Sequence, residues 1–130
     1  MSLSQPQIRL VPETIDQLLA QLSILGQPHR RSMFGGYGLY LDGTIFAIIA
    51  DQDIYLKVGD KNQADFKKIG SQPFVYEGKT KPVVMSYWLL PPAIWSDPPQ
   101  WQQWVAKSWL VSKEQSVKKN KQQRLRKIKT

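Results

Sequence analysis

The chain has 130 residues, 42% of them hydrophobic and 22% charged, with a formal net charge of +8. That leaves room for one domain with one modest core, and it excludes disordered or fibrous composition. With no cysteine, disulfides and thiolate metal centres are excluded and a reducing compartment fits. The longest mainly apolar run, 83–94, is too short to span a bilayer and contains two prolines. The start, MSLSQPQIRL, lacks the basic-then-apolar order of a secretory signal. A soluble, cytoplasmic protein with no membrane attachment is expected.

In chain order, Pro12 to Leu25 reads as a helix. Ile15, Leu18, Leu19, Leu22 and Leu25 recur at three- and four-residue spacing, Pro12 and Glu13 suit a first turn, and Gly26 and Pro28 end it. Gln27 to Ser32 reads as a polar, basic linker. Three strands follow: Tyr37–Leu41, Thr44–Ala50 and Ile54–Val58. The first pair is joined by Asp42-Gly43, a dipeptide suited to the positive φ angles of a two-residue hairpin, and the second by Asp51-Gln52-Asp53. The middle strand, IFAII, is apolar on both sides, so each side is expected to be covered. Asp60 to Ile69 is a helix with Asp60 as N-cap and Gly70 ending it. Pro73–Tyr76 and Val83–Leu90 are two more strands. A last helix opens at Asp97-Pro98-Pro99 and runs to about Leu110, with Trp101, Trp104, Val105 and Trp109 on one face.

The fold class is therefore α+β: a mostly antiparallel five-stranded sheet with helices outside it, in the order α-β-β-β-α-β-β-α. Residues 1–110 form the domain and 111–130 a flexible basic tail. That tail carries eight basic side chains against Glu114, a charge of +7, which leaves +1 for residues 1–110. The body is nearly neutral.

The stretch MFGGYGLYLDGTIFAII, then DIYLKV, then SQPFVYEGKTKPVVMSYWLLP resembles the N-terminal domain of the TfoX/Sxy family, from about Arg31 to Trp109. The resemblance implies a small α+β domain of the secretion-chaperone-like kind. It also implies regulatory rather than enzymatic function, since named members regulate natural competence as coactivators alongside a cyclic-AMP receptor protein. Those members carry a second, helical C-terminal domain, in whose place the basic tail is expected to stand. The family supplies no catalytic residues to carry over.

The residues themselves agree that chemistry is sparse. Gly35, Gly36 and Gly38 are not followed by a Lys-Ser/Thr pair or by a helix, so they read as relief of crowding at a bulge or close backbone approach rather than as a phosphate loop. His29, the only histidine, reads as a solvated linker residue, and Asp42, Asp51 and Asp53 as turn residues. No catalytic residue, metal ligand or cofactor is expected. Candidate nucleic-acid contacts are Arg30, Arg31, Lys118, Lys119, Lys121, Arg124, Arg126, Lys127 and Lys129, because dense Lys/Arg releases counterions from a polyanion. The leading expectation is a non-enzymatic regulatory or adaptor domain with a protein partner, weak nucleic-acid binding by the tail, and self-association as a homodimer through an open sheet edge. The alternative is a small-molecule or peptide-binding domain, its pocket between sheet and helix and lined by Tyr37, Tyr40, Tyr87 or Trp88.

Overall fold

Proline at the first helical position and Glu13 in the first turn start α1 (Pro12–Ala20) where the sequence indicates. The computed structural model describes residues 9–33 and 35–128, with side chains through residue 125. Ile15, Leu18 and Leu19 are buried as expected, but the helix stops at Ala20 rather than Leu25. Beyond it the bonds tighten, with Leu22 N–H donating to the Leu19 carbonyl and Leu25 N–H to the Leu22 carbonyl. Leu22 stays fully buried in that turn.

The larger correction is β1 (Pro28–Met33), which occupies the stretch expected to be a linker. PHRRSM has no apolar alternation. It becomes a strand because β2 (Gly36–Leu41) pairs with it, setting His29 opposite Tyr40 and Arg31 opposite Gly38. An edge strand makes one ladder only, and charged side chains are common there. The remaining strands are β3 (Thr44–Ala50), β4 (Asp53–Lys57), β5 (Pro73–Glu77) and β6 (Pro82–Leu90). The sheet therefore has six strands rather than five, antiparallel throughout, in the order β1-β2-β3-β4-β6-β5. Asp42 and Gly43, at φ 50° and 79°, make the left-handed two-residue turn that their sequence suggests.

The second long helical stretch is also shorter than expected: α2 spans Gln63–Lys68. Asp60 is not its N-cap. The N-cap position belongs to Asn62, whose side chain is used elsewhere. Its Oδ1 accepts the Gly59 N–H at 2.8 Å, and its Nδ2 donates to the Lys57 carbonyl at 3.0 Å and to Ser108 Oγ at 3.3 Å. Asn62 is buried, so these bonds tie β4, the loop and the C-terminal helix in a region closed to water. Asn62→Ala is expected to lower stability by about 2 kcal/mol, because buried groups lose their partners. Urea denaturation followed by circular dichroism measures it, and parent-like stability would contradict the role given to Asn62. Gly70, at φ +74°, ends the segment as expected.

After a short α3 (Pro92–Trp95), which the sequence reading lacks, α4 runs from Pro98 to Ile128. Trp101 and Val105 are fully buried and Trp104 and Trp109 partly so, as their shared face suggests. The expected stop near Leu110 does not occur. Neither glycine nor proline lies between Gln100 and Ile128, and Lys, Gln and Arg are good helix formers. Val111 and Ser112 are buried, so the body still grips the helix past that point.

These helices pack on one side of the sheet, with α4 against β3 and β4. The register sets Leu39 opposite Ala47, Ala47 opposite Leu56, and Ile54 opposite Leu90, and all of these are buried in the core. Each fully buried aliphatic side chain contributes about 1.5–3 kcal/mol. The opposite side carries Ile48, paired with Tyr55, which in turn faces Leu89. The expectation that both sides of β3 be covered thus holds on the helix side alone, among the described elements.

Candidate nucleic-acid interface

The glycine cluster decides whether an anion site sits at the start of β2, and its geometry is structural. Gly35 turns the chain from β1 into β2 at φ +75°. A Cβ on Gly36 would lie 1.9 Å from the Ile49 carbonyl oxygen of β3, so the two backbones meet too closely for a side chain. A register shift between Leu39 and Tyr40 adds a bulge in the same strand. Of the two settings expected for these glycines, the close backbone approach holds at Gly36, while the bulge lies beyond them in the strand. A strand precedes and follows them, whereas a phosphate loop would open a helix.

Arg30 and Arg31 lie on β1, and successive strand residues point to opposite faces. Arg30 turns toward α1. Its Nε donates to Asp16 Oδ1 at 2.8 Å, and its guanidinium lies 5.4 Å from the centre of the Tyr37 ring. This bond holds the Asp16 carboxyl below the usual carboxylate range and raises the Arg30 guanidinium. Arg31 is exposed on the other side, 6.0 Å from the centre of the Tyr40 ring. His29 is likewise on β1 rather than in a linker, stacked on Tyr40 with ring centres 4.8 Å apart. The two adjacent arginines are thus split: Arg30 is committed to an ion pair and Arg31 faces solvent.

The tail candidates share one element. Lys118, Lys119, Lys121 and Arg124 are exposed along α4, while Arg126 and Lys127 continue its backbone with side chains outside the described residues. Lys129 lies outside the described residues altogether. At 3.6 residues per turn Lys118, Lys119, Lys121 and Arg124 spread over more than half of the circumference rather than along one stripe. Glu114 is the last acid in the chain, and it is taken by Lys61 at 2.7 Å. Nearer the body, Lys107 pairs with Asp65 at 2.6 Å and the Lys113 ammonium sits 3.8 Å from the centre of the Trp109 ring. Those contacts anchor the helix where it leaves the domain, so the cations beyond Gln115 extend from a fixed base. Polyanion binding needs charge density rather than side-chain register, and this segment supplies it. The helical form of the segment is what sequence reasoning missed; its unbroken run of helix formers was the available signal.

The four aromatic residues suggested for a pocket do not converge. Trp88 packs on Phe66 in the helix-side core, with ring centres 6.5 Å apart. Tyr37 and Tyr87 border a cleft formed by strands and loops, with no helix residue in its wall. Tyr87 is buried, which with the nearby Tyr40 pushes its hydroxyl up to about 12. The Lys57 ammonium sits 4.8 Å from the centre of the Tyr87 ring and donates to Ser86 Oγ at 2.8 Å, and burial lowers its pKa. Among the described residues no group of three His, Cys, Asp or Glu side chains is placed to hold a metal. No described helix is long and apolar enough to cross a membrane.

Similarity to known proteins follows the same outline. The DNA transformation protein TfoX1 of Aliivibrio fischeri is 33% identical over 63 residues, 48% of this chain and 30% of that protein. Protein Sxy of Escherichia coli is 28% identical over 74 residues, 57% of this chain and 35% of that protein. The matched region spans about a third of the length of these relatives. The family model for the TfoX N-terminal domain matches residues 20–112, from the end of α1 through all six strands to the buried part of α4. With most of the described fold inside that match, the chain belongs to the TfoX N-terminal domain family.

Proposed function

We propose that this protein is a non-enzymatic regulatory domain of the competence-regulator type, acting in the cytoplasm through contacts with a protein partner. In this reading the distal half of α4 adds weak, sequence-independent affinity for nucleic acid. One observation carries the second part: Lys118, Lys119, Lys121 and Arg124 are exposed on a helix that bears no acid after Glu114. The family and the naming of one relative as a DNA transformation protein support the first.

The test is a titration of labelled duplex DNA with full-length protein at several salt concentrations. If about four phosphates are neutralised, log K falls against log[salt] with a slope of about −3.6. Replacing Lys118, Lys119, Lys121 and Arg124 together by glutamine is expected to remove most of that slope and weaken binding at least about tenfold at low salt. All four are exposed, so the fold is expected to be unchanged. Equal binding by the variant and the parent, or no binding by either, would remove the tail from the proposal.

A further inference from the structure

The side of the sheet turned away from the helices holds a cleft of about 470 Å³. Its walls come from strands at both ends of the sheet, with Met33, Ile45, Ile48, Phe74, Met85 and Tyr87 as the main apolar surfaces. That volume lies within the roughly 300–1,000 Å³ typical of small-molecule sites. Methionine thioethers and aromatic rings make an adaptable wall that can close on ligands of varied outline.

One charged side chain lines the cleft, Asp51. Among the described residues no hydrogen bond or ion pair involves its carboxylate. Its neighbour Asp53 likewise has no cationic partner there, and burial together with the Asp51 charge raises its carboxyl above the usual range. Asp51 and Gln52 form the two-residue loop between β3 and β4, both at positive φ, 49° and 67°, as such hairpin loops require and as Asp tolerates. Gln52 has a structural use, since its Oε1 accepts the Leu10 N–H at 2.7 Å. Asp51 is exposed, and its carboxylate is open to an incoming cation.

We propose that this cleft binds a small organic amine, its aromatic or branched apolar body held by Ile48, Phe74, Met85 and Tyr87 and its ammonium group at Asp51. A cation there gains a carboxylate and the faces of nearby aromatic rings. An anion would be repelled by the Asp51 carboxylate, and a neutral molecule would leave that carboxylate to water. The site is independent of the basic tail, and neither needs the other.

The experiment uses the full-length chain with ¹³C-methyl-labelled methionine. Met33 and Met85 report on the cleft by nuclear magnetic resonance. It is titrated separately with 2-phenylethylamine, 2-phenylethanol and phenylacetate. The amine is expected to give saturable shifts at both methyl groups. The alcohol should bind about fivefold more weakly, and the carboxylate more weakly still. Asp51→Asn retains a residue that tolerates the left-handed turn, and it should abolish the preference for amine over alcohol. Three results would overturn the proposal: no methyl shift with any probe, amine binding no tighter than alcohol or carboxylate, or an amine preference that survives in Asp51→Asn.

Discussion

Replacing Trp101 by alanine is expected to remove about 3–5 kcal/mol of stability, the range for deleting a buried aromatic side chain. Trp101 is fully buried and meets Phe46 edge-on at 6.4 Å between ring centres. Its indole N–H also donates to the Leu18 carbonyl at 2.9 Å. That carbonyl lies in the last turn of α1, where helix carbonyls lack an intrahelical partner. One residue on, Gln102 Nε2 donates to the Gln21 carbonyl at 2.8 Å. The first turns of α4 therefore complete the C-terminal end of α1. A small domain has a total stability of about 5–15 kcal/mol, so the loss removes a large share of it and Trp101→Ala should unfold at a clearly lower urea concentration. Urea denaturation followed by circular dichroism reads the loss without relying on the other tryptophans. Trp101→Phe separates the two contributions: it keeps much of the packing and loses the hydrogen bond, at about 1–3 kcal/mol. If Trp101→Ala unfolds at the parent urea midpoint, the core assignment is wrong.

Gly36→Ala is expected to cost about 3 kcal/mol, at the upper end of ordinary overpacking. The obstacle is the Ile49 carbonyl oxygen, 1.9 Å from where the Cβ would stand, and a backbone atom inside a ladder cannot swing aside as a side chain can. Relief requires β2 and β3 to separate near the Tyr37–Ile49 pair, so hydrogen exchange should accelerate there first. Gly35→Ala is the control. Its Cβ would meet nothing within 4 Å, and only the φ of +75° resists it, at roughly 1–2 kcal/mol. The comparison separates two meanings of a glycine-rich stretch. A phosphate loop would lose ligand affinity on substitution, whereas a close backbone approach loses stability and does so most at Gly36. Parent-like stability of Gly36→Ala would reject the second meaning.

Several elements were legible in the sequence because their signals are local. Asp42-Gly43 specifies a turn by backbone preference, and the strands on either side of it appear within a residue of their expected bounds. The spacing of Trp101, Trp104, Val105 and Trp109 placed their shared face correctly. The expected N-cap at Asp60 failed because Asn62, fully buried, is recruited by Gly59, Lys57 and Ser108, partners that no local pattern reveals. β1 was missed for a related reason: PHRRSM has no pattern of its own, and the ladder from β2 makes it a strand. The splitting of Arg30 from Arg31 follows from that ladder, since in a linker both could have faced one phosphate.

By itself, the sequence determined the family signature, the α+β class, the central meander, the tryptophan face of the last helix and the concentration of charge after residue 110. Each depends on residue identity, on short-range backbone preference or on simple periodicity. Tertiary structure alone decided that the sheet has a sixth strand, that Arg30 is bound to Asp16, and that the basic segment continues a helix held by Lys61–Glu114. It alone also decided that one side of the sheet is left as an apolar cleft with Asp51 in its wall. These features arise between segments far apart in the chain. Their free energy comes from pairing, burial and charge contact, which exist only once the segments have met.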